Sequence, residues 1–496
     1  MSDLAHLDAV TALRAFRSLQ LSPVELLDAV TAQAERVNGD RETGVNAFTE
    51  TFAGEARALA EKAATAYLNA ARDGTPTAPL LGVPVATKEK HTLAGRRIEQ
   101  GLAAHAGRIS GADHPVVERV RQAGGVVHAR TTSPEFSCAT VTHSPMWGVT
   151  RNPWNLSATP GGSSGGAGAA LAAGMTTLAT ASDIAGSTRV PAAFTGTVGY
   201  KAPYGRIPGL LPLSADWYRG DGPMGRTVAD TALLAAVLSG RHPADHASWG
   251  PHGVPVELPE DPVAAVRGVR VGLSVRLGDF AVDAEVADAT LDVAARLEQA
   301  GATVVPVDLP WTPARVMRTV FAHFGQILGP AMERECGDVA SLAPYAQRFI
   351  ADARRAAQRD GLVESLALDA ALQGELATAM AEVDVLLCPT NAVTALAADG
   401  DHLDGPNVGD RHLDHYWEGH LTSPFNVANR CPVLAVPSGA AGNGVPTGVQ
   451  VVGHPLDEAG VFRVGAAVEA LVPRARWPLA SDGDAPSLRA DRTPSR

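Results

Sequence analysis

The alternation of helical segments with short apolar runs constrains the fold of this chain more than any other feature. Residues 116–131, VVERVRQAGGVVHART, show the apolar spacing of a helix, then a Gly-Gly stop, then a β-branched run. The same kinds of segment recur in GVRVGLSV, AEVADATLDVAARLEQAG and TVVPVDLP. Strand-helix-strand repetition is typical of α/β proteins with parallel strands. The sequence therefore predicts an α/β architecture.

Further apolar runs extend this pattern along the chain. Residues 1–70 are predicted to be helical, and SPVELLDAVTAQAERVN begins with Ser22 as the N-cap of a capping box. The run PLLGVPVATKEK predicts a buried strand with Lys88 at its carboxyl end, and strands are also expected in VDVLLCPT, CPVLAVPSG and PTGVQVVG. The polar residues 477–496 are expected to be a disordered tail, which leaves 71–476 as the main domain.

Composition excludes several classes of partner. The formal net charge of −12 argues against nucleic acid and anionic membrane surfaces. No apolar run approaches the ~20 residues that a membrane-spanning helix needs, and the start MSDLAHLDAV lacks the pattern of a signal peptide. The cysteines form no CxxC pair, so neither a disulfide framework nor a zinc site is predicted for Cys138, Cys336, Cys388 and Cys431. We expect a cytoplasmic protein with no metal and no cofactor; a homodimer is left open.

The segment TPGGSSGGAGAALAAG, residues 159–174, places two serines between two glycine pairs. A Gly-Ser run is often a flexible linker, but no change of composition marks a domain boundary here. A P-loop requires a Gly-Lys-Ser/Thr that is missing. GGSSG satisfies the G-x-S-x-G pattern of α/β-hydrolases, yet that pattern needs a preceding β-strand, and NPWNLSATP contains two prolines. The remaining interpretation is that the glycines free the backbone to aim Ser163 or Ser164.

A second serine motif follows in TTLATASDIAGSTRVPAAF, residues 176–194. A strand is predicted to end at Asp183, a Gly-containing turn presents Ser187, and Pro191 is expected to begin a helix. Backbone N–H groups at such a strand-to-helix corner are unpaired and can bind a developing oxyanion. This motif therefore offers both a nucleophile and its oxyanion site.

Lysine is the candidate base for such a serine. A serine hydroxyl is a poor nucleophile until a base removes its proton, and no histidine lies in a recognisable triad context. Of 41 basic residues only four are lysines, namely Lys62, Lys88, Lys90 and Lys201. A lysine is neutral near pH 7 only when burial lowers its pKa from about 10.4, which requires roughly 4 kcal/mol. The best interpretation combines Lys88 with the two serine motifs.

This combination resembles the amidase signature family. The resemblance rests on LLGVPVATKEK, RNPWNLSATPGGSSGGAGAALAAG and SDIAGSTRVPAAFTGTVGYKAPYGRIP, and it extends to GPMGRTVADTALLAAVLSG, SPFNVANRCPVLAVPSG and GVPTGVQVVGHPLDE. It covers roughly residues 20–472. It implies a single large α/β domain, residues 71–476, with a mixed, mostly parallel twisted sheet that is covered by helices on both faces. The N-terminal segment 1–70 is expected to pack on this core.

The resemblance also implies a catalytic triad of Lys88, Ser163 and Ser187. Ser163 would lie in a cis peptide and bridge the other two, so that the proton of the nucleophile Ser187 passes to Lys88. The two serines are 24 residues apart, as the family pattern requires. The flanking glycines remove side-chain clashes around such a peptide. Ser164 is assigned a supporting role.

Other positions of the site follow from the same resemblance. Asp183 and Arg189 are expected to pair and hold the nucleophile loop, and Lys201 is interpreted as structural. Two positions depart from the family pattern: Ala185 replaces a glycine, and Glu89 replaces an aspartate. The implied oxyanion hole consists of the backbone N–H groups of Ile184, Ala185, Gly186 and Ser187.

The implied function is hydrolysis of a carbon–nitrogen amide bond through a serine acyl-enzyme, without metal or organic cofactor. The candidate substrate contacts are apolar, which favours a small, neutral aryl or acyl amide as the molecular partner: Cys138, Met146, Trp147, Trp217 and Tyr218. A carbamate, urea-like or imide hydrolase with the same triad is an alternative. A glutaminase-type component of an amidotransferase, which hands ammonia to a partner protein, is another.

Overall fold

A mixed sheet of eleven strands runs through the computed structural model, which describes residues 4–479. The strands within these residues are β1 Phe48–Thr51, β2 Pro84–Lys88, β3 Val126–Thr131, β4 His143–Ser144, β5 Gly148–Val149, β6 Leu178–Asp183, β7 Val198–Lys201, β8 Gly220–Gly225, β9 Arg270–Leu273, β10 Thr303–Pro306, β11 Val385–Pro389, β12 Asn407–Val408, β13 Arg411–His412, β14 Val433–Ala440 and β15 Pro446–Gly453. The eleven strands of the main sheet lie in the order β1-β3-β2-β6-β8-β7-β14-β15-β11-β9-β10, while β4–β5 and β12–β13 form separate two-stranded ribbons.

Parallel pairs are confined to the two flanks of this sheet. On one flank β3, β2 and β6 are parallel, and on the other β11, β9 and β10 are parallel. The strands between these flanks pair in antiparallel fashion, as does β1 with β3. The strand-helix-strand repeats found in the sequence belong to the flanks, where the crossover helices make parallel pairing possible.

Helices cover both faces of the sheet. The helices within the described residues are α1 Ala9–Arg17, α2 Pro23–Val37, α3 Ala53–Asp73, α4 Pro115–Gln122, α5 Gly165–Ala172, α6 Arg189–Thr195, α7 Val228–Leu238, α8 Ala284–Gln299, α9 Pro313–Gln326, α10 Leu328–Cys336, α11 Pro344–Arg359, α12 Leu362–Ala379, α13 Pro424–Val427 and α14 Glu458–Leu471. The structure is thus one α/β domain.

Two hydrophobic cores lie on the two faces of the sheet. In β11, Val385 and Leu387 pack in one core while Leu386 packs in the other. Such alternation is expected for a strand that is buried on both faces, because successive side chains point to opposite sides. The first core gathers α1–α4, α7, α8 and α14, and the second gathers α6 and α9–α13.

The N-terminal region differs from the helical segment that the sequence predicts. Ser22 caps α2 in a capping box, but residues 48–51 form β1, which extends the sheet by pairing with β3. A four-residue strand is too short to give a periodic signal, and only its pairing partner defines it. At the other end Trp477 packs against Trp154, with ring centroids 6.1 Å apart. The expected disordered tail falls, from residue 480 onward, outside the described residues.

The carboxyl ends of β2 and β6 lie side by side at one edge of the sheet, because these strands pair in parallel. Lys88 therefore lies close to Asp183 and the turn that follows it. The helix after this turn begins at Arg189, two residues before the predicted start at Pro191. Proline is tolerated in a first helical turn because N–H groups there have no intrahelical acceptor.

Candidate active site

Lys88 is completely buried, and three hydroxyls surround its amino group. The nitrogen Nζ lies 2.7 Å from Ser163 Oγ, 2.9 Å from Ser164 Oγ and 3.0 Å from Ser182 Oγ. Burial, together with the neighbouring charge of Lys90, holds the pKa of Lys88 well below its ordinary value of 10.5. Among residues 4–479 no carboxylate contacts Nζ. The surroundings therefore favour the neutral amine, which can accept a proton.

The loop that carries Ser163 approaches neighbouring backbone very closely. Its Gly162–Ser163 peptide bond is cis. A β-carbon at Gly162 would lie 2.4 Å from the carbonyl oxygen of Val141, so no other residue fits without displacing the loop. The N–H of Ser164 donates to the carbonyl of Ser187 at 3.1 Å. The loop is thereby joined to the corner that carries the second serine.

A buried ion pair stabilises the turn between β6 and α6 that carries Ser187. Arg189 donates from Nε and Nη2 to the two carboxylate oxygens of Asp183, both at 2.9 Å. Asp183 also accepts from the N–H of Gly186 at 2.7 Å, from that of Thr188 at 3.2 Å and from Asn426 Nδ2 at 2.9 Å. Burial opposes the charge of Asp183, but the guanidinium outweighs it and holds the pKa of this carboxyl below its usual range.

Three of the four predicted oxyanion donors are free. The N–H groups of Ile184, Ala185 and Ser187 have no acceptor within residues 4–479, whereas that of Gly186 is engaged by Asp183. Ser187 is 8% exposed, and its hydroxyl makes no hydrogen bond to any described residue. The corner thus presents a hydroxyl and three backbone donors at one place.

The structure brings together most of the predicted triad. Lys88 and Ser163 are hydrogen-bonded, and Ser164 anchors the loop to Ser187. A hydrogen bond between the hydroxyls of Ser163 and Ser187 is absent from the described residues. Ser182, the third hydroxyl on Lys88, begins the SDIAGSTR segment, but the sequence predicts no role for it because it lies inside the strand that precedes the turn.

Residues more than 200 positions away in the sequence stabilise the turn of residues 184–187, which we call the oxyanion turn. Gly186 has φ +133°, and a β-carbon there would lie 2.0 Å from Thr422 Oγ1. The Thr422 hydroxyl donates to the carbonyl of Ala185, so the 2.8 Å contact with His420 Nδ1 requires that nitrogen to be the donor. The sequence predicts no role for Thr422, His420 or Asn426, because their roles depend on long-range packing.

Two of the five predicted substrate contacts lie near the turn. Cys138 and Tyr218 belong to the same hydrophobic cluster as Ile184 and Ala185. Tyr218 stacks on His323 with ring centroids 3.7 Å apart. Both side chains are buried, so they form the wall behind the turn rather than an open surface.

Of the other three, Trp217 is half-buried and packs against the same cluster, whereas Met146 and Trp147 lie elsewhere. Met146 and Trp147 form the connection of the β4–β5 ribbon, and the carbonyl of Trp147 accepts from Asn46 Nδ2 at 2.8 Å. Trp217 donates to Asp369 at 3.1 Å. It also lines an apolar cavity of about 490 Å³, together with Leu376, Met380 and Val427. No contact of the described residues connects Met146 or Trp147 with the oxyanion turn.

A second buried polar cluster lies beside Lys88. His91 Nε2 is 2.9 Å from Asp221 Oδ1, His114 Nε2 is 3.5 Å from Oδ2, and Lys90 Nζ is 3.4 Å from Oδ1. Burial opposes the charge of Asp221, but these neighbours hold the pKa of the carboxyl well below its ordinary value. Two imidazoles and a carboxylate are ligands that a transition metal accepts, and their ligand atoms all lie within 4.8 Å of one another.

The hydrogen bonds of the two imidazoles argue against metal binding at this cluster. His91 Nε2 donates to the Asp221 carboxylate at 2.9 Å, and His91 Nδ1 lies 2.8 Å from the Thr180 hydroxyl, which also accepts the N–H of Lys88 at 3.1 Å. His114 Nδ1 accepts the N–H of Val116 at 3.3 Å. In both rings the hydrogen therefore lies on Nε2, toward the carboxylate. A carboxylate surrounded by three donors explains the cluster better than a cation site does.

Sequence comparison finds relatives over nearly the whole chain. A family model described as amidase matches residues 25–462. The glutamyl-tRNA(Gln) amidotransferase of Synechococcus sp. (strain CC9605) has a subunit that is 33% identical over 486 residues, which cover 90% of this chain and 93% of the relative. The corresponding subunit of Mycolicibacterium gilvum (strain PYR-GCK) is also 33% identical, with 97% of this chain and 99% of the relative covered.

Solved structures share the fold. A bacterial aryl acylamidase of the amidase signature enzymes superposes with a TM-score of 0.82 at 26% identity, covering 94% of this chain and 96% of the other. A 6-aminohexanoate cyclic dimer hydrolase bound to its substrate gives a TM-score of 0.78 at 25% identity, covering 96% and 99%. Across residues 4–479, every helix is too short or too polar to cross a lipid bilayer.

Proposed function

This chain belongs to the amidase signature family and is an amide-hydrolysing enzyme, and we propose that Ser187 attacks the amide carbonyl to form an acyl-enzyme. One observation carries the proposal: a completely buried lysine, Lys88, lies 2.7 Å from the hydroxyl of Ser163. The loop of Ser163 is in turn bonded, through the N–H of Ser164, to the carbonyl of Ser187. A base, a hydroxyl that can relay a proton and a nucleophile thus lie on adjoining segments.

The proton would move from Ser187 to Ser163 and from Ser163 to Lys88. A hydroxyl can accept one proton while it donates another, so Ser163 keeps its own charge unchanged in the transfer. The oxygen of Ser187 then bonds to the carbonyl carbon. When the tetrahedral intermediate collapses, the carbon–nitrogen bond breaks and the departing amine takes the proton back. Water repeats the sequence to release the acid from the acyl-enzyme.

The negative charge on the carbonyl oxygen would be accepted by the N–H groups of Ile184, Ala185 and Ser187. A single donor of this kind contributes about 3–4 kcal/mol to transition-state stabilisation in a comparable hydrolase. The Asp183–Arg189 pair and Thr422 fix the turn before the substrate arrives. Since the turn is already fixed, little reorganisation is needed during the reaction.

We propose a small aryl or acyl amide as the substrate. The oxyanion turn borders a hydrophobic cluster that includes Cys138 and Tyr218, which suits an apolar substituent next to the amide. The structural similarity to an aryl acylamidase supports the same class.

A glutaminase-type amidotransferase component is the second candidate. The observation that favours it is the 33% identity to a glutamyl-tRNA(Gln) amidotransferase subunit, which extends over 97% of this chain. Such a protein would release ammonia from glutamine for a partner protein. It would therefore hydrolyse glutamine poorly without that partner, and other amides hardly at all.

Covalent labelling tests the nucleophile. We expect a fluorophosphonate probe to inactivate the wild type and to modify the peptide that contains Ser187, as read by mass spectrometry. Ser187→Ala should abolish both labelling and turnover, while Ser137→Ala, next to Cys138 but outside the triad, serves as the matched control. An adduct on residues 161–166, with Ser187→Ala still active, would favour the α/β-hydrolase interpretation instead.

An amide panel separates the two candidates. The isolated chain should hydrolyse small anilides faster than glutamine if it is a free-standing amidase. Faster hydrolysis of glutamine, combined with poor turnover of anilides, would support the amidotransferase component.

A further inference from the structure

Arg219 lies beside the oxyanion turn, at the edge of the sheet where the strand that carries Lys88 ends. Strand β8 pairs with β6 so that Ser182 is opposite Asp221 and Asp183 is opposite Gly220. Arg219 is the residue immediately before β8, so its backbone adjoins the end of β6 at Asp183. Opposite residues of an antiparallel pair share a face, and residues two apart in one strand do so as well. Asp221 therefore shares the face of Ser182, whose hydroxyl contacts the amino group of Lys88, and Arg219 lies two residues before Asp221.

The guanidinium of Arg219 has no direct partner in the part of the chain that the structure describes. Its Nε is buried without a hydrogen bond, and none of the ion pairs among residues 4–479 includes it. Two carboxylates lie in this region without an ion pair to Arg219: Asp221 faces Lys90 and two imidazoles, and Asp216 accepts from His323 Nε2 at 2.7 Å through Oδ1, while its Oδ2 is buried without a hydrogen bond to any described residue. A buried donor without a partner is costly, which is why most are paired with protein, water or ligand.

This cation is nevertheless close to the reacting groups. The charge of Arg219 contributes to lowering the pKa values of Lys88 and Lys90, and it also lowers the pKa of Asp216. The other charged groups that act on Lys88 are Lys90, Asp221 and Asp183. Since Asp183 is paired with Arg189, and Asp221 with Lys90, Arg219 is the cation on this face that is left without a paired carboxylate among residues 4–479.

The backbone that carries Arg219 is held rigidly. Asn426 Nδ2 donates to the carbonyl of Tyr218 at 3.0 Å and to Asp183 at 2.9 Å, so one amide joins this segment to the nucleophile turn. Asn429 Nδ2 donates to the carbonyl of Trp217 at 2.8 Å. The arginine is thus fixed relative to the oxyanion donors, as a group that recognises a substrate must be.

We propose that Arg219 binds an acidic group of the substrate, most simply a carboxylate carried on the same small molecule as the amide. Guanidinium and carboxylate match in two parallel hydrogen bonds, which fixes the orientation of the substrate as well as its charge. The inference rests on the proposed function, because Ser187 and the oxyanion turn define where the substrate lies. It revises the expectation of a neutral substrate, whose basis was five apolar residues of which two, Met146 and Trp147, lie away from the turn.

Two matched pairs of amides test the proposal. Succinyl-4-nitroanilide carries a carboxylate on its acyl side and butyryl-4-nitroanilide does not; 4-acetamidobenzoate and acetanilide differ in the same way on the amine side. We expect the wild type to prefer the acidic member of at least one pair. The readout is the ratio of kcat/KM for the acidic amide to that for the neutral amide.

Arg219→Gln should lower this ratio by about 10- to 100-fold, as expected for the loss of a hydrogen-bonded charge pair, and mainly through KM. Arg219→Lys should retain part of the preference, because it keeps the charge but loses the fork geometry. Arg267→Gln, an exposed arginine remote from the site, should leave the ratio at the wild-type value.

Either of two results would overturn the inference. One is a wild type that shows no preference for the acidic member of either pair. The other is an equal loss for acidic and neutral amides in Arg219→Gln, with a displaced pH profile, which would mean that Arg219 acts only on Lys88. Fluorophosphonate labelling of Ser187 distinguishes these results from failure of the proposed function, since labelling does not require the acidic group.

Discussion

Two completely buried lysines, Lys88 and Lys201, lie in different surroundings and differ in what they can do. Lys88 contacts hydroxyls, whereas Lys201 Nζ donates to Asn429 Oδ1 at 2.6 Å and to the carbonyl of Cys431 at 2.8 Å. Burial, assisted by the charge of Arg189, lowers the pKa of Lys201 to about 7. Both lysines therefore have a lowered pKa, and pKa alone does not separate them.

The hydrogen-bond partners of the two amino groups distinguish Lys88 from Lys201. A carbonyl oxygen accepts hydrogen bonds and has no proton to give, so Lys201 can only hold the 429–431 segment. A hydroxyl both donates and accepts, so the lone pair of a neutral Lys88 can take a proton that Ser163 supplies. A base in an enzyme thus needs a partner that can release a proton, in addition to a lowered pKa.

The largest expected difference is between Lys88→Met and Lys201→Met. We expect Lys88→Met to lower kcat/KM by about 10³-fold or more, because general-base catalysis is lost. Lys88→Arg should not restore activity, since guanidinium stays protonated. Lys201→Met should lower the free energy of unfolding while folded enzyme keeps most of its activity. A folded Lys201→Met as inactive as Lys88→Met would contradict the comparison.

A smaller difference is expected between the two adjacent serines that contact Lys88. Ser163→Ala should lower kcat by about 10²-fold or more, because it removes the proposed relay, with some activity left through water. Ser164→Ala should have a weaker effect, since that hydroxyl is also engaged with the backbone of Ser182 at 3.4 Å. Rates of hydrolysis and of fluorophosphonate labelling measure both. Equal effects of the two substitutions would remove Ser163 from its assigned role.

The smallest expected effect distinguishes the two lysines by pH: Lys201 affects the pH dependence of stability, and Lys88 affects that of kcat/KM. The pKa of Lys201 is about 7 in the folded protein and 10.5 in its ordinary state, so the unfolded chain binds more protons between these values. Stability should therefore rise with pH across this window, by at most about 1.4 kcal/mol per pH unit from this group. Below the folded pKa both states are protonated and the dependence ends.

Urea unfolding from pH 6 to pH 10 measures this slope. Lys201→Met should lower this slope by the contribution of Lys201, while Lys88 and Lys90, whose pKa values are also lowered, keep the remainder; Lys62→Met, which alters an exposed lysine, should leave the slope unchanged. The rise of kcat/KM with pH should remain in Lys201→Met, because that rise reports the deprotonation of Lys88. If Lys201→Met instead abolished the acid limb of kcat/KM, the roles assigned to the two lysines would be exchanged.

Much of the fold was predictable because its signals are local. The strands that end at Lys88 and Asp183, the capping box at Ser22 and the crossover helices on the flanks all follow from apolar spacing and capping residues. The strand β1 and the antiparallel centre of the sheet were not visible in this way. A short strand is defined by its partner, and pairing direction depends on how distant segments meet.

The residues of the site show the same distinction between local sequence signals and long-range packing. Two serines at fixed spacing, a lysine at a strand end and a glycine-rich loop were recognisable because each lies in a short contiguous motif. Thr422 and Asn426 stabilise the oxyanion turn across more than 200 residues of sequence. Arg219 appears in the sequence as an ordinary arginine, and only the pairing of β6 with β8, which places Gly220 opposite Asp183, brings it next to the oxyanion turn.

The sequence by itself determined the α/β architecture and the chemical groups available to a serine hydrolase with a lysine base, since these depend on local order along the chain. Tertiary structure decided which backbone donors are free, which lysine meets hydroxyls rather than carbonyls, and which cation lacks a paired carboxylate among residues 4–479. Hydrogen bonds and desolvation act over a few ångströms in space, so these properties are fixed only when distant segments pack together.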